Sequence, residues 1–446
     1  MDTVMKHVAM IVAVAVFLAV ADGILAAEPD DDTVQESLDL TETVSMPIAD
    51  GKTVIAQSDT GRKRNRNRET GGDQEDDELM KLLEEADRMK EDKKVDDSIN
   101  RVFHGQERVQ AQLNPEISLT GDFMGSISSE DSDFINEPGD FTDGRNQFYL
   151  REAEFHVIAP LDPFTRGKFI LGMPGYGEDV SLSEMVAEAY MEWLNLPAGL
   201  NLKIGKFNTQ FGVLNRWHDH GLPQVDRPRA LVNLFGTENF GGPGISGNIV
   251  IPHLWAHVNE LDIEVVTGGD GVSFDDSYEN VIGVARFKNY YDLTRNTYLE
   301  FGFSGAHGYR DKDLDEKTSL GGFDIACKWV PAGRSHYRTI ELRSEVFFSH
   351  AEYLGEDLDR IGMYAYMTSK TSARTMCGMR YGYSELPYSI DDEYEWNIVP
   401  HFDFWHSEFV LLRAQYNYTK RSYDVDDHSV FLQTIWSMGP HKHEAY

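Results

Sequence analysis

The sequence predicts an all-β chain: a transmembrane antiparallel β-barrel of about 16 strands, preceded by a disordered arm and a short helix. Three observations lead there. From Pro115 to Tyr446, segments of about ten residues alternate apolar with polar side chains. The gaps between them are short and long by turns, and no helical period interrupts the run. In the segment 407–419, Val410, Leu412, Ala414, Tyr416 and Tyr418 fall on one face, and Arg413, Gln415, Asn417 and Thr419 on the other. A period of two with one oily and one wet face is a strand between unlike solvents. Repeated around a closed wall, it places lipid outside and water inside.

The N-terminal elements come first. Val8 to Ala21 is an apolar run with Lys6 before it and the small residues Ala21, Gly23, Ala26 and Ala27 after it. It is too short to be a stable span and reads as a secretory signal peptide over 1–27, cut between Gly23 and Glu28. Residues 28–72 are polar without an apolar period and are expected to be disordered, with a basic burst at Arg62, Lys63, Arg64, Arg66 and Arg68. In 73–100, Leu79, Leu82, Leu83, Ala86 and Met89 recur at spacings of three and four, which predicts a short amphipathic helix. Such a stripe cannot be buried by the helix alone, so it points to a coiled coil between subunits or docking on the barrel rim.

The barrel occupies 113–446, with strands expected near 116–126, 146–158, 164–173, 184–196, 199–209, 243–251, 257–267 and 279–289. The second half is expected near 295–306, 317–330, 336–349, 361–370, 374–384, 392–402, 407–419 and 428–438. Gaps after the second, fourth, sixth and tenth strands are tight and rich in Pro and Gly, as in Pro197-Ala198-Gly199. The other gaps read as long and acidic, Glu130, Asp131, Asp133, Glu137, Asp140 and Asp143 being one example. Short turns at one rim, longer loops at the other and an even strand count are the pattern of a bacterial outer-membrane barrel. Trp193, Trp255, Tyr290, Tyr291, Trp329, Trp405 and Trp436 lie near expected strand ends, where membrane interfaces favour amphipathic rings.

Composition agrees. A hydrophobic fraction of 41% is too low for a bundle of membrane helices, and a net charge of −34 argues against nucleic acid as a partner. The two cysteines, Cys327 and Cys377, fall inside expected strands and rule out a disulfide scaffold or a cysteine-rich zinc site. No Gly-x-Ser-x-Gly or HExxH occurs, and no nucleophile has a matching base, so enzyme activity is not expected.

Asn114 to Phe123, Tyr149-Leu150-Arg151-Glu152-Ala153-Glu154, and the stretch from Gly205-Lys206-Phe207 through His218-Asp219-His220 to Asp226-Arg227-Pro228 carry a resemblance. They resemble porin-like bacterial outer-membrane proteins related to the phosphate-selective porins, members of which are also catalogued as zinc-regulated outer-membrane receptors. The resemblance implies a homo-oligomer, a trimer, and a third loop folded into the lumen. The chain departs from it in lacking the basic ladder of a phosphate pore, so phosphate specificity does not carry over. An energised receptor also needs a plug of roughly 130 residues in a 22-stranded barrel, and the polar arm is too short for one.

The longest gap, about 208–242, holds the candidate functional residues Arg216, His218, Asp219, His220, Asp226, Arg227 and Arg229 among Trp217, Leu222, Leu231, Leu234 and Phe235. So apolar a loop is expected to tuck into the lumen and set selectivity with its charges. The alternative is that Asp226 and Arg227 pair with each other or the wall and hold the loop in place. Asp122, Glu188, Glu192, Lys203, Glu264, Arg343, Arg380 and Arg413 are expected to face the bore. The functional expectation is a passive channel for small hydrophilic solutes, embedded among outer-membrane lipid and lipopolysaccharide. No cofactor is expected beyond divalent cations at the acidic external loops. A second reading takes His218 and His220 as zinc ligands of an uptake receptor, since two histidines one residue apart point the same way when locally extended.

Overall fold

The computed structural model describes residues 115–129, 147–174, 185–237, 239–252, 254–335 and 337–439. The expected signal peptide, arm and helix lie outside these residues, as do the acidic stretch from Glu130 to Asp143 and the tail with His441 and His443.

Sixteen antiparallel strands form one closed barrel, each hydrogen-bonded to its neighbours in sequence and β1 closing on β16. The first eight are β1 (Glu116–Ser128), β2 (Gln147–Pro160), β3 (Thr165–Pro174), β4 (Val186–Leu196), β5 (Leu200–Asn208), β6 (Gly241–Ile251), β7 (Val258–Thr267) and β8 (Val281–Asp292). The others are β9 (Thr297–Asp311), β10 (Glu316–Trp329), β11 (Thr339–Tyr353), β12 (Glu356–Lys370), β13 (Thr375–Glu385), β14 (Tyr394–Ser407), β15 (Val410–Arg421) and β16 (Asp427–Met438). Closure runs from Leu119 opposite Met438 to Ser128 opposite Ser429, so no strand edge is left unpaired.

The pleat sorts the side chains as their alternation predicts. Along β15, Arg413, Gln415, Asn417 and Thr419 are buried inside, and Leu412, Ala414 and Tyr416 are exposed outside. The outer surface is an apolar belt that includes Phe123, Ile204, Ile263, Phe303, Phe348, Phe402, Leu412 and Leu432. Trp193, Tyr290, Tyr291, Trp329, Trp405 and Trp436 all lie toward the ends of even-numbered strands, and Trp255 lies in the turn after β6. They therefore ring the short-turn rim. Every backbone group of a closed barrel is satisfied within the sheet, which lets it cross hydrocarbon. With an apolar exterior and a polar inner wall, this is an outer-membrane barrel.

The turns differ in detail from the expected pattern. Those at 293–296, 371–374 and 408–409 are also tight, whereas the connection after β10, expected to be tight, spans residues 330–338. At the other rim, 312–315 and 354–355 are tight rather than long. There β9 and β12 run past their expected limits through Asp311, Asp357 and Asp359. Acidic residues read as loop in the sequence, yet strands projecting beyond lipid carry them without cost. Leu354 (φ 52°) and Gly355 (φ 80°) close the β11–β12 hairpin in the left-handed region that its two-residue turn requires. Cys327 is buried and Cys377 exposed, both as thiols.

Candidate functional site

The apolar core of this protein lies inside the bore, because the β5–β6 connection, residues 209–240 and hereafter L3, folds into it. Its neck is closed by Thr209 N donating to Phe240 O (3.0 Å) and by Asn215, which exchanges hydrogen bonds with Thr209 and Phe240. The chain then turns at Gly212, whose φ of 63° suits glycine. A Cβ there would stand 2.3 Å from Glu345 Oε2, so the position demands glycine twice over. Beyond it come two single 3-10 turns, Leu214–Arg216 and Asp219–Gly221, and a short helix α1 (Arg229–Phe235) that ends at Gly236.

L3 is amphipathic, and each side has its own part of the wall. Its apolar side puts Phe211, Leu214, Leu231, Leu234, Phe235 and Phe240 against inward-facing Val266, Ile282, Val284, Leu320 and Phe347 of β7 to β11 and Phe274 of the β7–β8 loop. Rings chain across this contact, Phe211–Phe235, Phe235–Phe240 and Phe240–Phe274 having centroids 5.5, 5.0 and 5.1 Å apart. Burying each such side chain contributes about 1.5–3 kcal/mol, which holds the loop down.

The polar side is tied to the remaining strands. Arg380 of β13 donates to the carboxylate and to the carbonyl of Asp226, both at 2.7 Å. Gln415 and Asn417 of β15 also donate to that carboxylate, and Val225 N donates back to Gln415 (2.8 Å). Arg229 and Asn233 of α1 both reach Glu395 of β14 (2.8 and 2.7 Å). Val213 N and Leu214 N donate to Glu345 of β11, and Gln210 N donates to Glu264 of β7 (2.7 Å). Arg151 of β2 donates to Val225 O (2.6 Å) while holding Asp122. L3 is therefore bonded to strands on every side of the barrel and crosses the bore.

A corner between β2, β4 and L3 gathers histidines. Register shifts between Asp122 and Phe123, leaving Arg151 as a bulge and turning Glu152, Glu154 and His156 inward. Glu154 Oε2 lies 2.6 Å from His156 Nε2 and 3.4 Å from His220 Nδ1, and its Oε1 lies 2.8 Å from His218 Nδ1. His218 Nε2 is 3.6 Å from Glu188 Oε2, which Lys168 also holds (2.5 Å). Burial opposes a charge on His218, but Glu154 and then Glu188 outweigh it and keep the imidazole pKa well above its ordinary value.

On the short-turn side of L3 a pocket of about 140 Å³ remains. Its walls carry Glu192, Lys203, Glu260, Asp262 and Lys288 of β4, β5, β7 and β8, with Arg216 and Gln210 of L3 as the roof. Lys288 pairs with Glu260 (3.0 Å), so cations and anions face one another across a narrow space.

The seven candidate residues thus divide among three places. Arg216 lines the pocket. His218 and His220 form the histidine corner, with Asp219 beside them paired to Arg227 (2.8 Å). Asp226 and Arg229 dock on β13 to β15. The wall residues Asp122, Glu188, Glu264, Arg343, Arg380 and Arg413 face inward and are buried, and Glu192 and Lys203 line the pocket. Glu154, His156, Glu345, Glu395 and Gln415 were not among the candidate site residues of the sequence. Their inward parity was readable, but not which of them L3 would meet.

No family model matches the chain. An uncharacterized protein of Aquifex aeolicus (strain VF5) is 25% identical over 342 residues, spanning 68% of this chain and 69% of its own. Among solved structures, the outer membrane channel DcaP of Acinetobacter baumannii superposes with a TM-score of 0.49 at 13% identity, covering 73% of this chain and 97% of DcaP. OprB of Pseudomonas putida gives 0.49 at 9% identity, covering 76% and 97%. The anion-selective porin from Comamonas acidovorans gives 0.48 at 9% identity, covering 73% and 100%.

Proposed function

We propose that the protein is a porin-like channel through which small hydrophilic solutes cross the outer membrane by passive diffusion, with L3 setting what passes. The observation that carries this reading is a polar bore crossed by L3, with a charged pocket beside it. A lumen meant only for structure would have no need of a pocket carrying Lys203, Lys288 and Arg216 opposite Glu192, Glu260 and Asp262. Opposed charges across a constriction orient dipolar solutes and exclude apolar ones. The route this reading favours runs along β4 to β8, under Arg216, rather than past the docked polar side of L3. Purified protein added to planar bilayers is expected to give stepwise conductance. Protein that inserts as a folded barrel and never conducts rejects the reading.

A further inference from the structure

Where L3 meets β2, three imidazoles surround the carboxylate of Glu154. Glu154 and His156 are two residues apart on β2 and so share its inner face. His220 descends on them from the 3-10 turn of L3. All three are buried, and one donor atom from each lies within 4.8 Å of the others. Fixed cations nearby are committed elsewhere: Arg151 to Asp122, Lys168 to Glu188 and Arg227 to Asp219.

We propose that Glu154, His156 and His220 form a binding site for a divalent transition-metal ion of the zinc class, which ties L3 to the barrel wall. Two imidazole nitrogens and one carboxylate oxygen are the donor set of zinc-like ions rather than of magnesium or calcium, which take oxygen ligands. Ligand atoms on a tetrahedral ion with bonds of about 2.0–2.1 Å stand roughly 3.3 Å apart. The recorded separations from Glu154 Oε2, 2.6 and 3.4 Å, bracket that value. The adjustment falls on the remaining edge, between His156 and His220, whose ring centroids are 5.8 Å apart. Water takes the fourth position. His218 is a positioning residue, gripping Glu154 from one nitrogen and facing Glu188 with the other, as outer partners of metal ligands do. The ion fastens L3 and is not carried through the bore, which separates this site from an uptake receptor.

Calorimetric titration of the full chain in detergent with zinc chloride tests it, with amide exchange of residues 209–240 followed alongside. One zinc per chain is expected, with slower exchange in L3 when zinc is bound. His156→Ala or His220→Ala should abolish stoichiometric binding, and His218→Ala should weaken it about 10–100-fold. His350→Ala, an exposed histidine beside Asp359, should leave it unchanged. Heat-dependent gel mobility identifies variants that form the barrel, and His156→Gln serves if the alanine variant does not. No zinc bound by the wild type overturns the proposal, as does affinity within threefold of wild type in a folded double variant of His156 and His220. Zinc that binds without slowing exchange in L3 overturns it too. The titration needs no ion flow, so a barrel that fails to conduct refutes the channel reading and leaves this one standing.

Discussion

Asp226→Ala should undock the polar half of L3, and the size of the effect follows from its partners. The Asp226 carboxylate accepts from Arg380 (2.7 Å), Gln415 (2.5 Å) and Asn417 (3.2 Å), and neither it nor Arg380 is more than 1% exposed. Removing one partner of a buried ion pair costs about 3–5 kcal/mol, because the other charge is left without compensation. Arg380 keeps its bond to the carbonyl of residue 226, so the lower end applies, about 3 kcal/mol. At about 1.4 kcal/mol per factor of ten, the undocked population of L3 rises roughly a hundredfold. Native-state amide exchange reads that population directly. The amide to follow is Val225 N, which donates to Gln415 in the same cluster. Its exchange should quicken about a hundredfold, while amides in the β15–β16 ladder keep wild-type rates. Asp226→Asn, which retains an acceptor oxygen, should fall between. Exchange of Val225 within a factor of three of wild type in Asp226→Ala would show that the apolar side alone holds the loop, and the reasoning would fail.

Arg216→Glu reverses one charge of the pocket roof and is expected to shift the reversal potential toward cation preference in bilayers under a salt gradient. Gly212→Ala meets both a left-handed φ and Glu345 Oε2 at 2.3 Å, so it should destabilise L3 by about 1–3 kcal/mol, read as faster exchange at Val213 and Leu214. The β7–β8 loop has its own pH dependence. Burial pushes the Asp270 carboxyl up to about 7, against the pull of the Val272, Ser273 and Phe274 amides that donate to it. Its folded value lies above the unfolded one, so the folded loop holds the proton more tightly. The stabilisation is full below the unfolded pKa and is lost as pH rises through about 7. Limited proteolysis across residues 268–280 should therefore speed up between about pH 4 and 7 and level off above, and Asp270→Asn should flatten that rise.

The barrel was legible because strand parity is a binary signal repeated sixteen times, and an error in one segment is corrected by its neighbours' turns. The boundaries of β9 and β12 were less so. Residues such as Asp311, Asp357 and Asp359 look the same in a loop as in a hairpin standing clear of lipid. His218 and His220 were visible as a pair, but the partners that give them meaning were not. Period two tells that Glu154 and His156 face inward and says nothing of their height in the bore. The bulge at Arg151 further resets parity in β2, and no local sequence rule announces it.

One signal in the wall does point to where L3 lies. A bore filled with water has no use for inward-facing aliphatic side chains, yet Val266, Ile282, Val284 and Leu320 turn inward and are at most 4% exposed. Across β13 to β15 the inward positions are mostly polar, among them Arg380, Asp403, Arg413, Gln415 and Asn417, with Val399 an exception. The inner wall therefore changes character around the circumference, apolar where it receives the phenylalanines of L3 and hydrogen-bonding where it receives Asp226 and Arg229. Such a wall fits one orientation of an amphipathic loop, because the reverse would part Asp226 from Arg380, Gln415 and Asn417. Exceptions to the wet-inside rule are thus the imprint of the docked loop. The short-turn ends of β4 to β8, where Glu192, Lys203, Glu260 and Lys288 stay polar below it, are where L3 leaves a pocket in the bore.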